Sequence, residues 1–281
     1  TSGCQNTAIG SKALNLNTTG GYNTSIGSCS LFSNTVGSYN VGVGFRTLLQ
    51  ATTATSNVAM GNDAMYSNIH GDCNVAIGHQ ALYSNKCGRN VAVGFLALNA
   101  QTTGYYNTAV GALASRCNTT GIANTSLGMY SLHSNTTADA NVAIGYASMI
   151  CNITGTYNTA VGRDSLYKNV SGAYNVALGS YAADKNIGGN NNVAIGYITN
   201  RTNVDGDANT AVGSQAMPVN TASSNTAIGY YASNCNTTGT GSVAVGYAAA
   251  CNVTTGSCNT AVGQNALRNP SVGTCRVVAI G

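Results

Sequence analysis

The chain contains no glutamate and no tryptophan, and its 281 residues include only two prolines, three phenylalanines and three histidines; charged side chains make up 6% of it. Without glutamate, and with only seven aspartates, acid–base catalysis by paired carboxylates has little material. His70, His79 and His133 stand in unrelated positions and read as separate surface residues. No catalytic residue, no metal site and no cofactor is therefore assigned. The net charge of +4 is spread over isolated lysines and arginines, whereas nucleic acid needs a basic stripe on one face. No run of 18 apolar residues occurs, so membrane insertion is not expected. Disorder normally combines high charge with low hydrophobicity; here charge is scarce and 43% of the residues are hydrophobic, which predicts an ordered chain.

What is present is a repeat. A block reading Asn-Thr/Val-Ala-aliphatic-Gly begins at Asn6, Asn23, Asn40, Asn57, Asn74, Asn90, Asn107, Asn124, Asn141, Asn158, Asn175, Asn192, Asn209, Asn225, Ser242, Asn259 and Val277. Thirteen of the sixteen intervals are 17 residues, two are 16 and the last is 18. So short and regular a period signifies a solenoid, in which one repeat makes one coil and each coil buries its apolar face against its neighbours. The repeat runs through residues 1–281 without a change of composition, which reads as a single domain, and its arrival flush at both ends suggests a segment of a longer fibre.

With the block's first residue as slot 1, slot 2 is Thr or Val, slot 3 is small, slot 4 is aliphatic and slot 5 is glycine throughout. Those glycines are Gly10, Gly27, Gly44, Gly61, Gly78, Gly94, Gly111, Gly128, Gly145, Gly162, Gly179, Gly196, Gly213, Gly229, Gly246, Gly263 and Gly281. Slots 8 and 9 are usually a small residue followed by Leu or Met, slot 12 is usually Asn, and a Thr-rich pair leads to Gly at slot 15. Glycine this frequent excludes helix interiors, while short strands separated by Asn/Gly corners fit. Slot 5 marks a corner that needs positive φ or close backbone approach. The slot 1 asparagines are expected to stack as an amide ladder. The predicted fold is an all-β parallel β-solenoid or β-roll of about 16 to 17 coils, roughly 75 to 80 Å long at about 4.8 Å per coil.

Strand alternation sends slots 2 and 4 to one face and slot 3 to the other, and neither face is polar. Faces that are apolar on both sides signal a strand covered on both sides. Either slot 3 fills a thin interior and the ladder of slots 2 and 4 packs on other chains, or the reverse holds.

Segments such as Asn107-Thr108-Ala109-Val110-Gly111 followed by Asn118-Thr119-Thr120-Gly121 resemble the repeats of phage and viral tail-fibre proteins. More distantly, they are similar to the coils in the head domains of trimeric autotransporter adhesins. The resemblance covers the whole chain and implies a β-roll or β-helix head, commonly a homotrimer, that attaches at a cell or virion surface. The ten cysteines depart from both groups.

Cys258 and Cys275, 17 residues apart, and Cys235 and Cys251, 16 apart, would sit on adjacent coils within disulfide reach. A bridge there would imply an oxidising, extracellular setting; small apolar filler is the competing reading. Glycosylation sequons at Asn17, Asn118, Asn135, Asn152, Asn169, Asn236 and Asn252 are read as surface acceptors, those at Asn23 and Asn124 less so because they occupy slot 1. Asp205-Gly206-Asp207 reads as a polar turn rather than a calcium loop. Thirteen of the sixteen tyrosines gather at corners beside the block, where they suit sugar or protein contact or the capping of coil edges. The expectation is a non-enzymatic extracellular fibre or adhesin that self-associates, as a homotrimer or a filament, and touches a cell-surface glycan or receptor. The alternatives are a subunit stacking end to end and an ice-binding solenoid.

Overall fold

Every repeat spends three residues on a strand, because the glycine at slot 5 turns the chain immediately afterwards. The computed structural model describes residues 3–269 and 273–281, and its contacts gather the chain into two compact units, Thr1–Ala140 and Asn141–Gly281. Each unit is a parallel β-solenoid, as the repeat predicts. The first carries eight strands, from Thr7–Ile9 to Thr125–Leu127. The second carries nine, from Val142–Ile144 to Val278–Ile280. Within each unit a strand pairs in parallel with the next in the chain, slot for slot, as in Thr108↔Thr125, Ala109↔Ser126 and Val110↔Leu127.

The slot 5 glycine is required twice over. At Gly111 φ is +136°, and a Cβ there would stand 2.6 Å from the carbonyl oxygen of Gly128 in the next coil. Three further positions per coil take positive φ, almost always without being glycine, namely slots 7, 9 and 17, represented in one coil by Arg46 (54°), Leu48 (50°) and Ser56 (58°); Gly241 at slot 17 is the exception among the described residues. Left-handed backbone costs a side-chain-bearing residue about 1–2 kcal/mol. Each of these residues has its N–H held by a neighbouring coil: Arg46 donates to the Ser28 carbonyl at 3.0 Å, Leu48 to Ala64 at 3.1 Å and Ser56 to Ser38 at 3.0 Å. The stack therefore imposes a conformation that the residue types do not announce.

The interior is thin. Slot 3 points inward and is fully buried in most coils, as at Ala59, Ala76, Ala109, Ala160 and Ala211; at Gly42 a Cβ would meet Ser30 and Thr47 of slot 8 and Leu31 of slot 9. Asparagine closes the space. In the first unit, the Asn40 N–H donates to Oδ1 of Asn23 at 2.9 Å, while Nδ2 of Asn40 reaches across the coil to the Ala54 carbonyl at 2.7 Å. The slot 12 asparagines form a second ladder: Nδ2 of Asn34 donates to Oδ1 of Asn17 at 2.9 Å and to the Gly37 carbonyl at 3.0 Å. The second unit repeats both devices at Asn175 and Asn186. A serine at slot 1 preserves half of the arrangement. Ser242 accepts the Asn259 N–H at 3.2 Å through its hydroxyl, but it has no amide to span the coil.

Unequal repeats leave the sheet untouched. Across the 16-residue intervals Val75 still faces Val91 and Thr210 faces Thr226, and across the 18-residue interval Thr260 faces Val278. The missing residue comes out of the far turn. Both Asn74 and Asn85 donate to the Cys87 carbonyl, and both Asn209 and Asn220 to that of Ala222, which is the task of slot 15 elsewhere. The vacant place is slot 14.

Candidate functional site

The alternation of the strand leaves slots 2 and 4 on the outside of both units and slot 3 inside, so small residues fill the coil interior. Slot 4 is exposed in eight of the seventeen repeats, as at Ile77 (38%), Leu127 (47%) and Ile228 (41%), and half-buried in the other nine, and the slot 2 residues beside it are mostly half-buried. Neither slot carries a charge in any repeat. The result is an uncharged strip of aliphatic side chains at slot 4 beside valine and threonine at slot 2, one coil per step.

Aromatic pairs at slots 17 and 6, on the corners just before and just after the strand, flank the strip. On the slot 17 side Tyr22 stacks on Tyr39 with ring centres 4.9 Å apart, and Tyr157 on Tyr174 at 5.1 Å. On the slot 6 side His79 stacks on Phe95 at 5.6 Å and Tyr230 on Tyr247 at 5.8 Å. Stacking at about the coil rise leaves ring edges and hydroxyls outward, and Tyr157 is 56% exposed. The corner tyrosines thus pack on one another and still present surface.

Two shallow clefts interrupt the regular exterior. One, of about 580 Å³, lies where the 16-residue coil beginning at Asn74 lacks slot 14, and its lining includes His70, Asp72, Lys86, Cys87, Arg89 and Tyr105. The other, of about 410 Å³, is bounded by Tyr230, Tyr231, Tyr247, Asn234, Arg268 and the pair Cys235 and Cys251.

All ten cysteines carry free thiols, so neither expected bridge is formed. Cys235 occupies slot 11 and Cys251 slot 10: the N–H of Cys235 donates to the Cys251 carbonyl at 2.9 Å, and the Cys235 thiol, 3.8 Å from Oδ1 of Asn252, also contacts the Cys251 thiol without bonding to it covalently. Burial pushes the Cys251 thiol up, Cys235 adds to the effect and Arg268 opposes it. In the 18-residue repeat Cys275 lies one place short of the corner. Its sulfur accepts the Ser257 N–H at 3.2 Å, while Arg276 takes the corner position opposite Cys258.

The sequons fare differently from their reading as surface acceptors. Asn118, Asn135, Asn152, Asn169 and Asn236 are buried, and Nδ2 of each donates to the residue at slot 15 in its own coil, as from Asn118 to the Gly121 carbonyl at 3.0 Å. An amide held inside the coil is no glycan acceptor in the folded chain. Asn17 is half-buried and makes the same bond to Gly20 at 2.9 Å, whereas Asn252, in slot 11, is exposed. Asn23 and Asn124 are buried in the slot 1 ladder.

His70 contacts the Thr53 hydroxyl at 2.7 Å. Half-buried His133 has its pKa lowered by burial and, secondarily, by Arg116. Asp205, Gly206 and Asp207 occupy slots 14 to 16 of an ordinary coil, with the Gly206 N–H accepted by Asn203 at 3.0 Å. Among the described residues no three His, Cys, Asp or Glu side chains converge as metal ligands, and no helix is long and apolar enough to cross a membrane. Sequence reasoning did not single out the cleft at Asn74. Its signal was the 16-residue interval itself.

Comparison with known proteins finds no family model and no curated relative that matches the chain. The resemblance to tail-fibre and adhesin-head repeats rests on the repeat residues.

Proposed function

We propose that the chain is a non-enzymatic, extracellular fibre or adhesin-type solenoid that associates with further copies of itself and serves attachment at a cell or virion surface. The observation that carries this reading is the uncharged, partly exposed strip of aliphatic side chains at slot 4 and valine or threonine at slot 2. Exposed apolar surface that is contiguous over many coils is uncommon on a solitary soluble protein and marks an interaction face. A second copy is the partner that suits it best, because an identical chain presents ridges at the same coil spacing and brings no charge that needs pairing. The slot 17 and slot 6 aromatics would border such an interface, and shallow contacts repeated along an assembly would give attachment by avidity.

The hydroxyl arrangement favours this reading over ice binding. At slot 13 the threonine hydroxyls donate to the carbonyl of the next coil, as Thr102 does to Thr119 at 3.0 Å and Thr35 to Thr52 at 3.1 Å, so they are committed within the stack. At slot 2 threonine is interleaved with valine.

Mass by light scattering, with electron microscopy, tests the proposal. The wild-type chain is expected as a defined oligomer, a homotrimer if the tail-fibre resemblance extends to assembly, and as filaments if copies stack end to end. Ile77→Asp, Leu127→Asp and Ile228→Asp together should give folded monomers, since these slot 4 side chains are exposed in the single chain and would bury an unpaired charge only in the assembly. A wild-type monomer, or a triple variant with unchanged mass, would refute self-association through this strip.

A further inference from the structure

We infer that the cleft at the short coil beginning at Asn74 is a binding site for a saccharide bearing a carboxylate or sulfate group. It rests on the attachment reading only for what such binding would serve; the site stands on its own geometry.

A regular coil places an exposed side chain at slot 14 above the buried slot 15. In this coil Lys86 at slot 13 is followed at once by Cys87, whose carbonyl performs the slot 15 role, so the row of slot 14 side chains is broken between His70 and Thr103. The gap is the cleft, and its volume of about 580 Å³ lies within the range of small-molecule sites.

The charge around the gap is mainly positive, with Lys86 and Arg89 against the single carboxylate of Asp72. Lys86 and Arg89 are both exposed at its edge, and among the described residues neither forms an ion pair with a carboxylate. Arg89 is nevertheless held in place. Its Nη1 donates to the Tyr106 hydroxyl at 2.7 Å, its guanidinium carbon lies 5.5 Å from the centre of that ring, and its N–H donates to the Asp72 carbonyl at 2.9 Å. The one carboxylate in the lining, Asp72, is drawn toward the preceding coil, where the Thr55 N–H donates to Oδ1 at 2.6 Å. His70 is likewise occupied on that side by Thr53. The ammonium of Lys86 and the free edge of the Arg89 guanidinium are left for an anion.

The remaining wall is aromatic. Tyr105 is 42% exposed and meets Tyr106 edge-on at 5.0 Å, so its orientation is supported and it offers flat surface beside the two cations. A planar amphipathic ring next to fixed positive charge suits a sugar that carries an acid group: the apolar face of the sugar covers the tyrosine and the acid meets Lys86 and Arg89.

Calorimetric titration of the chain, residues 1–281, tests the assignment with three probes: glucuronate, inorganic sulfate and glucose. Glucuronate should bind saturably in the millimolar range or tighter and weaken with added salt, as interactions at exposed charges do. Sulfate should bind less tightly and glucose not measurably. Lys86→Gln combined with Arg89→Gln should weaken glucuronate at least about tenfold, and Tyr105→Ala should weaken glucuronate but leave sulfate unchanged. Inserting a threonine between Lys86 and Cys87 restores a 17-residue coil, fills the gap and should abolish binding while both cations remain. Binding that survives the insertion, or no saturable binding of glucuronate, overturns the site. Sulfate binding as tight as glucuronate and indifferent to Tyr105 overturns the saccharide in favour of a plain anion. The titration is repeated on the slot 4 aspartate variant, so that loss of assembly and loss of binding are read separately.

Discussion

The two units use one coil and fill it differently. In the first, slot 9 is a nearly continuous apolar row in which Leu31, Leu48, Met65, Leu82 and Leu98 are all fully buried. In the second, the row is interrupted: Ala183, Asn200 and Ser233 stand between Leu166, Met217 and Leu267, and both amide atoms of Asn200 lack a hydrogen-bond partner among the described residues. Each unit also has one coil shortened by the same residue. The first shortened coil is bordered by His70, Asp72, Lys86 and Arg89, the second by Asp205 and Asp207 with no cation in the equivalent slots. The difference teaches that the backbone and asparagine ladders hold the coil, while the side chains at slots 9 and 14 are free to vary stability and surface charge.

Exchanging the core residues should have the largest effect. Leu48→Asn in the first unit removes a buried aliphatic side chain and leaves an unpaired amide, with an expected loss of about 3–5 kcal/mol. Asn200→Leu in the second relieves such an amide and should add about 1 kcal/mol, the gain being limited because Asn tolerates its left-handed φ of 47° better than Leu does. Urea denaturation, with hydrogen exchange resolved by peptide, checks both; a destabilising Asn200→Leu would show that the amide is satisfied within the coil.

Transplanting the cleft comes next in size. Asp205→His, Thr221→Lys, Ser224→Arg and Thr240→Tyr carry the residues of the first short coil and its neighbours into the corresponding slots of the second. The variant should bind a second equivalent of glucuronate with affinity within about tenfold of the first site. An unchanged stoichiometry would mean that the removal of slot 14 and the charge around it are not sufficient.

The smallest effect is that of pH, and it has opposite signs in the two units. Burial, reinforced by Arg116, lowers the pKa of His133 in the first unit, so its stabilising contribution is present above the ordinary histidine pKa and is lost as pH falls through the folded value. In the second, burial raises the pKa of Asp184 and Arg201 opposes it, so the contribution is complete below the ordinary aspartate pKa and fades as pH rises through the folded value. Mild acidification should therefore speed exchange around His133 before it slows exchange around Asp184. His133→Asn and Asp184→Asn should each flatten the profile of their own unit alone, and identical profiles in the two variants would contradict the assignment.

Much of the fold was legible. Spacing revealed the coil, the strand at slots 2 to 4 and the slot 5 glycine, since a contact from one repeat to the next recurs at every step and leaves its period in the chain. The left-handed residues such as Leu48 were not legible, because nothing in a leucine announces positive φ and the hydrogen bond to Ala64 that stabilises it comes from another coil. The sequons misled for a related reason. Asn118 carries the same local motif whether its amide faces water or the Gly121 carbonyl. The cysteines misled because an interval places two residues on adjacent coils, one slot apart at Cys235 and Cys251, without deciding whether their thiols join.

By itself, then, the sequence determined a stacked parallel β-coil and the places where that coil shortens, because periodicity in the chain translates directly into register between neighbours. The tertiary structure decided which face of the strand lies inside. With small residues at slot 3 and aliphatics at slot 4, hydrophobicity favours neither direction, and only the closing of the coil onto slots 8 and 9, with asparagine amides spanning the narrow gap, makes room for alanine and turns the larger side chains outward.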